Sequence, residues 1–592
     1  MNYDHFVLPF TLGLVILLII VLYKFSKWII GLNSSDKKKL GKGIFGLPLL
    51  FSVKEIFLES LLHRKVFKAN AILGYMHMSL AFGWFLLIVI GNIESKLYSD
   101  NAFNPPYYPI FLQFFVENKP HSPIHDAFTF IMDFVLLIVL SGVLLAFTKR
   151  IYSKLFGMKR TTKMKIGDKL ALTSLWLIFP LRFLAESFTS GTVHNGGFLT
   201  DSAGIFFANF LPVQDLAYIT WWGYSWALGL FFISVPFSRY MHIPAEILLI
   251  FARNSGIKTE KKYNSFSEIE VNSCPRCGLC LDTCQLASAA NITYVQSVYF
   301  IRSIRENEID QKIAFNCLLC GRCENICPVG INLNGIRTAK RSEFTKDLES
   351  SFDYIKPTEN QSNKTDVLYF AGCMTHLTPT IKKSMTNILN QSGVNYQFMD
   401  ADGSICCGRP MLLAGNIKAA EELMRKNKAI IEASGAKTLV TSCPICYKTF
   451  KEDYNLNINI VHHSQYLLTL IEEKKIKVNK TTTKQVVYHD PCELGRESGI
   501  YNEPRNVIEQ ISSLQSIKNE KVDSLCCGGS LGNLQISSDQ KDMICNDTLA
   551  SLTANNPDTI ITACPLCKKT FAKNAAIPVI DLSELVSDSL VK

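Results

Sequence analysis

The sequence predicts a multidomain chain: a five-helix transmembrane bundle, then a small α+β domain organised by two four-cysteine runs, then two tandem α/β cysteine-rich domains. Three observations carry this. The long apolar runs lie before residue 250, all 19 cysteines lie between Cys274 and Cys567, and the cysteines beyond residue 366 form two copies of one pattern. At 592 residues the chain is too long for a single core.

Five segments, at about 7 to 30, 69 to 92, 127 to 148, 168 to 188 and 215 to 238, have the length and apolar content to cross a bilayer. No basic stretch precedes the first and no small-residue cleavage site follows it, so it is read as a helix rather than a signal peptide. The net charge of +10 is concentrated in Lys37, Lys38, Lys39 and Lys42 and in Lys149, Arg150, Lys154, Lys159 and Arg160, after the first and third segments. That is the positive-inside pattern. It implies a multi-pass protein of the cytoplasmic membrane with its N-terminus outside and everything after about residue 240 in the cytoplasm, and it argues against nucleic acid as a partner.

Histidine has no use on a lipid-facing helix, so His77 in the second segment and His242 at the end of the fifth are candidate ligands of a b-type haem, the alternative being headgroup-level residues. His63, beside Arg64 and Lys65, is read as interfacial and without a ligand role. Asp133, and Arg182 with Glu186 at i, i+4, are either polar groups serving proton uptake or packing residues. The match Gly41-x-Gly43-x-x-Gly46 to a dinucleotide loop is dismissed, because no strand precedes it.

Cys274, Cys277, Cys280 and Cys284 are spaced C-x2-C-x2-C-x3-C, and Cys317, Cys320, Cys323 and Cys327 repeat this, ending in Cys327-Pro328. The spacing is similar to that of two-cluster ferredoxins, in which the fourth cysteine of each run ligates the other cluster. It predicts a ferredoxin-like α+β domain with two cubane 4Fe-4S clusters, one on Cys274, Cys277, Cys280 and Cys327, the other on Cys317, Cys320, Cys323 and Cys284. Zinc sites use four cysteines without the delayed fourth, and disulfide scaffolds do not group cysteines this way. Gln285 stands where Pro is usual after the fourth cysteine.

After a polar linker the pattern of Cys373, Cys406-Cys407-Gly408 and Cys443-Pro-Ile-Cys446 recurs as Cys492, Cys526-Cys527-Gly528 and Cys564-Pro-Leu-Cys567, with corresponding cysteines 119 to 121 residues apart. Apolar or β-branched runs at 367–370, 438–441, 485–488 and 559–562 lead to these cysteines and read as buried parallel strands that deliver ligands from their carboxyl ends. A helix over 417 to 434 would cover one face. The expected parts are thus 1–252, 253–345, a linker 346–366, 367–475 and 476–592. Cys545 lies outside every motif and reads as a buried thiol. His376 and His489, each three residues from a motif cysteine, either tune a cluster or stabilise a turn.

Three resemblances add to this. The segment Pro236-Phe-Ser-Arg-Tyr-Met-His242-Ile243 resembles the last helix of the cytochrome b subunit of respiratory nitrate reductase, whose two haems each take one His from the second and one from the fifth helix. His77 and His242 match the pair nearer the cytoplasm, while Leu87 and Tyr224 stand at the outer positions. The resemblance implies one haem b. The five-cysteine pattern resembles the cysteine-rich (CCG) domain family of heterodisulfide reductase, which implies two noncubane 4Fe-4S clusters, at least one of them present. The chain order, with Tyr488-His-Asp-Pro-Cys492 through Pro504-Arg505, is similar to membrane-bound iron-sulfur oxidoreductases that take electrons from electron-transfer flavoprotein. It implies an oxidoreductase linking a soluble flavoprotein to quinone or menaquinone as substrate. A quinol-linked disulfide reductase, and an anchor and relay subunit of a lactate- or glycolate-type dehydrogenase, share the same cofactors.

Overall fold

The computed structural model describes all residues except 1, 2, 100–102, 119–121, 153–163, 346–351, 356–364, 481–484, 532–534 and 592. Lys154, Lys159 and Arg160 of the second basic cluster, and most of the linker, lie outside the described residues. The chain packs as two compact units. One comprises Met1–Thr259, Asn264–Asp282 and Cys327–Ile331; the other comprises Glu260–Tyr263, Thr283–Ile326 and Asn332–Lys592. The stretch 253–345, expected as one domain, contributes to both.

In the first unit five helices are long and apolar enough to cross a membrane: His5–Ile30, Ala71–Ser95, Pro123–Ile151, Ile166–Val193 and Val213–Phe237. They are called here the first to fifth spans. Large apolar side chains such as Leu22, Leu144 and Ile219 stay exposed along them, as the lipid-facing sides of spans do. The first and fifth spans approach closely where Gly13 meets Gly229; a Cβ on Gly13 would lie 2.6 Å from the Gly229 backbone, so only glycine permits this crossing.

Two details correct the expected anchor. The basic stretch between the first two spans is helical, as Ser34–Ile44 and Leu47–Glu55, with Asn33 capping the first of these through the Asp36 amide. The fifth span ends at Phe237, before His242. Pro236 lacks an amide proton and ends the regular helix in a short 3-10 turn, Ser238 caps another, and His242 opens a separate amphipathic helix, His242–Asn254.

The cysteine runs also depart from the α+β expectation. Among the described residues from 253 to 366 there are helices and no strand. Each run turns tightly through positive φ at equivalent places, Arg276 and Gly278 in one, Leu319 and Gly321 in the other, followed by one-turn helices Leu279–Asp282 and Arg322–Asn325. The spacing dictates where sulfurs converge and leaves the rest of the backbone to fold as short helices.

The second unit carries two four-stranded, wholly parallel sheets. Strands β1 (Val367–Phe370), β2 (Tyr396–Phe398), β3 (Thr438–Thr441) and β4 (Asn459–His462) lie in the order β2-β1-β3-β4; β5 (Gln485–His489), β6 (Ser513–Gln515), β7 (Thr559–Thr562) and β8 (Val579–Asp581) repeat it as β6-β5-β7-β8. The inner strands β1, β3, β5 and β7 are the four read from the sequence, with β5 one residue longer, and the expected helix spans Ile417–Ala433. Leu368, Leu439, Val440, Val487, Ile560 and Ile561 are fully buried, each contributing about 1.5–3 kcal/mol of hydrophobic stabilisation. Val367, Val440, Val486 and Ile561 share one core, so the two copies fold against each other.

Candidate functional site

In each sheet the chain crosses from β2 back past β1 to β3, or from β6 past β5 to β7, so the switch point lies at the carboxyl ends of the inner strands, where open α/β sheets place their sites. The cysteines follow those ends: Cys373 after β1, Cys406 and Cys407 after β2, Cys443 and Cys446 after β3, with Cys492, Cys526, Cys527, Cys564 and Cys567 placed the same way in the second copy. Cys443 and Cys564 adopt extended backbone just before helices Pro444–Asp453 and Pro565–Ala572, whose Pro residues suit the first helical position. The Gly of Cys-Cys-Gly is required by its backbone. Gly408 and Gly528 have φ of 89° and 84°, and a Cβ on Gly528 would lie 2.9 Å from the Lys541 carbonyl.

Each five-cysteine set forms one continuous group. Cys373 contacts Cys406, which contacts Cys407, then Cys446 and Cys443. In the second copy Cys492 contacts Cys526, then Cys527, Cys567 and Cys564. Cys320 of the second ferredoxin-like run also neighbours Cys526, so that run adjoins the second set. Beside them Gln285 is buried, with its carboxamide on the Cys526 amide, Thr548 and Asp547. The residue that departs from the ferredoxin pattern is therefore a tie to the second cysteine set. A small apolar-walled cavity, floored by Cys492, Cys526, Cys527, Cys564 and Cys567, opens beside that set and is also lined by Glu493. Glu493 Oε1 lies 3.5 Å from an Arg409 guanidinium nitrogen, and Lys448 pairs with Glu497, so charges from both copies meet there.

The two ferredoxin-like runs divide between the units. Cys274, Cys277 and Cys327 are electrostatic neighbours in the first, with Cys280 in the same turn as Cys277. Cys284, Cys317, Cys320 and Cys323 are neighbours in the second. The crossed pairing expected from the spacing would draw one ligand set from each of these groups. Burial pushes the Cys284 and Cys327 thiols up to about 12, so ligation is what would hold them as thiolates. Ser297 Oγ donates to Cys323 Sγ at 3.1 Å, and the Leu319 amide to Cys317 Sγ at 3.5 Å. Arg276, between Cys274 and Cys277, pairs with Asp168 at the start of the fourth span; Asp168 also accepts from the Arg239 amide at 2.9 Å. Cysteine run and span ends are thereby joined through one carboxylate.

His77 has His63, His242, Lys149 and Arg239 as charged neighbours, and Lys149 also interacts with Cys277. The two predicted haem ligands thus lie together, beside the first cysteine run. His242 Nδ1 lies 2.8 Å from the Arg239 carbonyl, which assigns Nδ1 the proton and Nε2 the lone pair that ligation uses. This donor set fits a haem. His63 is closer to it than its sequence position suggested: its ring stacks on His77 with centroids 5.4 Å apart, in a left-handed backbone conformation at φ 54°. At the outer positions, Leu87 and Tyr224 are buried among Phe111 and Trp221, and side chains fill that space.

The remaining polar residues separate by role. Asp133 accepts from the Leu199 and Thr200 amides at 2.8 and 2.9 Å and so caps helix Thr200–Ala208. His376 rests on Asp400, which takes the Ala371 and Gly372 amides, and His489 sits between the Leu525 carbonyl and Thr562; both hold the turns that carry the cysteines. Cys545 is buried and contacts the Thr570 carbonyl. Sequence reasoning missed Glu94 and Glu246, both buried; each is a lone acid at the edge of an apolar run, and only burial marks them.

Comparison with known proteins fits this arrangement. Residues 367–451 and 486–572 each match the cysteine-rich domain family, and residues 270–331 match the 4Fe-4S dicluster domain family. The chain is an iron-sulfur oxidoreductase carrying 4Fe-4S clusters, related to heterodisulfide reductase. One component of the dihydromethanophenazine:CoB–CoM heterodisulfide reductase of Methanosarcina barkeri is 25% identical over 57% of this chain and 98% of its own length. Over a longer stretch, the EtfAB:quinone oxidoreductase of Syntrophomonas wolfei is 21% identical across 83% of this chain and 84% of its own. The probable iron-sulfur-binding oxidoreductase FadF of Bacillus subtilis is 22% identical across 80% and 84%.

Proposed function

We propose that this protein passes electrons between a soluble flavoprotein, electron-transfer flavoprotein in the first place, and the membrane quinone pool. The observation that carries the reading is the contact between Cys320 and Cys526, which brings a cubane ligand set against a cysteine-rich one. In this reading Cys274, Cys277, Cys280 and Cys327 hold one cubane cluster and Cys284, Cys317, Cys320 and Cys323 the other. The two five-cysteine sets hold noncubane clusters, and His77 with His242 holds one haem b. The clusters and haem supply one-electron transfer; the chain supplies their ligands and the hydrogen bonds to sulfur that tune them. The five spans anchor the protein in the cytoplasmic membrane with its iron-sulfur parts inside. Resemblance to a protein named EtfAB:quinone oxidoreductase over most of both chains supports the donor and acceptor.

The test uses anaerobically purified full-length protein in lipid nanodiscs with a menaquinone analogue. Flavoprotein reduced by an acyl-CoA dehydrogenase should reduce the haem rapidly, followed by quinone-dependent reoxidation. A haem that dithionite reduces and the flavoprotein does not would remove this donor. One observation favours a second reading, quinol-linked disulfide reduction: a small cavity is lined by the five cysteines of the second set. That reading requires a thiol to perturb the cluster spectrum.

A further inference from the structure

Arg496 follows Cys492 by four residues, and the equivalent position in the first copy is Leu377, which is 58% exposed. The two copies thus differ here in charge, and the arginine belongs to the copy that adjoins a ferredoxin-like run. Arg496 Nε donates to the Cys320 carbonyl at 2.7 Å. Its Nη1 donates to the Ser524 carbonyl at 2.7 Å, the Ser524 hydroxyl at 2.8 Å and the Val522 carbonyl at 3.2 Å. One planar fork therefore reaches from a cysteine of the second ferredoxin-like run to the segment that leads into Cys526 and Cys527.

All four acceptors are neutral, and Nη2 is buried without an acceptor. Among the described residues no carboxylate forms an ion pair with Arg496. A guanidinium keeps its proton throughout the physiological range, and away from bulk water its field is screened weakly. That field reaches Cys320, of which Arg496 is an electrostatic neighbour. His489 and Tyr501 are also its neighbours. Arg322, whose Nη1 donates to the Thr283 carbonyl at 2.9 Å, is a second cation beside Cys320 and Cys284, but it has the acid Asp523 near it as well.

We propose that Arg496 is a positioning residue for electron transfer: its fixed charge favours the reduced form of the cubane cluster on Cys284, Cys317, Cys320 and Cys323 and so raises that cluster's potential. The inference rests on the ligand assignment proposed above. Reduction brings one electron from the flavoprotein, later passed to quinone, and leaves the cluster more negative; no bond at Arg496 forms or breaks. The copy with Leu377 in this place supplies no such charge.

The experiment uses anaerobically purified full-length holoprotein and redox titration followed by electron paramagnetic resonance. Arg496→Gln should lower one cubane potential, so that at a fixed applied potential the reduced-to-oxidised ratio falls about tenfold, which is about 59 mV for one electron. Arg496→Lys, which keeps the charge and loses the fork, should stay near the wild type. The potential that moves should be the one that Ser297→Ala moves, since Ser297 donates to Cys323 of the same set. The other cubane and the haem should keep theirs. An assembled Arg496→Gln cluster with an unchanged potential, or a Lys variant that falls as far as the Gln variant, overturns the inference. If Arg496→Gln prevents assembly, Val522→Glu decides: the residue is 41% exposed, and a carboxylate there counters the charge while every hydrogen bond of the guanidinium stays in place. It should lower the same potential, and an unchanged value overturns the inference. A wild type that shows a single cubane removes the ligand assignment and the inference with it. If Arg496→Gln and Ser297→Ala move different cubanes, the ligand assignment fails and the effect of the charge stands.

Discussion

The Gln285 side chain accepts a hydrogen bond from the Cys526 amide at 2.6 Å and donates to Thr548 Oγ1 at 3.0 Å, so one glutamine joins two cysteine motifs 241 residues apart. Gln285→Ala leaves the buried Cys526 amide without its acceptor, at a cost of about 1–3 kcal/mol. Anaerobic thermal unfolding should register it as a lowered midpoint. Gln285→Pro, which restores the ferredoxin pattern, should assemble its cubane cluster and be destabilised to a similar degree; wild-type stability in both variants would show that the tie contributes nothing.

His242→Ala and His77→Ala should each abolish the haem absorbance while leaving iron-sulfur signals in place. Tyr224→Phe should keep the full haem content. A pyridine haemochrome assay counts haem per chain, and more than one haem in the wild type would contradict the filled space around Leu87 and Tyr224.

Ser297→Ala removes the hydroxyl donor to Cys323 Sγ. Hydrogen bonds to cluster sulfur favour the reduced, more negative state, so the substitution should lower one cubane potential. A hydrogen bond worth about 1 kcal/mol corresponds to roughly 40 mV for one electron. Redox titration followed by electron paramagnetic resonance measures this, and an unshifted or raised potential would refute it.

Burial pushes the Glu246 carboxyl up to about 7, against the Ser60 hydrogen bond and the Arg253 and Lys65 charges that oppose the shift. Because the folded state holds this proton more tightly than the unfolded chain, the residue's contribution is most favourable below its ordinary range near 4.5. It is lost as pH rises to about 7, by up to about 3 kcal/mol. Glu246→Gln should therefore flatten the fall in stability over that window and leave the protein more stable above it. Unfolding midpoints of both proteins across this pH range check the sign.

What the sequence made legible was whatever spacing or periodicity encodes. β1, β3, β5 and β7 were readable because each is a short apolar run ending near a cysteine, whereas β2 and β6 are edge strands of three half-buried residues with no comparable signal. Cysteine spacing predicts sulfur convergence and says nothing of the backbone between, so the strands expected around 274–327 are helices. Asp133 was visible as an odd charge in a span, but its partners Leu199 and Thr200 are far along the chain. Gln285 was visible as a departure from pattern, and its meaning lies in residues 526 to 548. His63 looked interfacial because its neighbours are basic; only the fold turns its ring onto His77.

The meeting of Arg409 with Glu493 distinguishes the two copies. The position after Cys-Cys-Gly is Arg409 in the first copy and corresponds to Gly529 in the second, while the residue after the first motif cysteine is Met374 in one and Glu493 in the other. Each copy retains one half of a salt bridge and has no counterpart of the other half. The two copies are therefore not interchangeable at this contact: two first copies would oppose arginine to methionine, and two second copies glutamate to glycine.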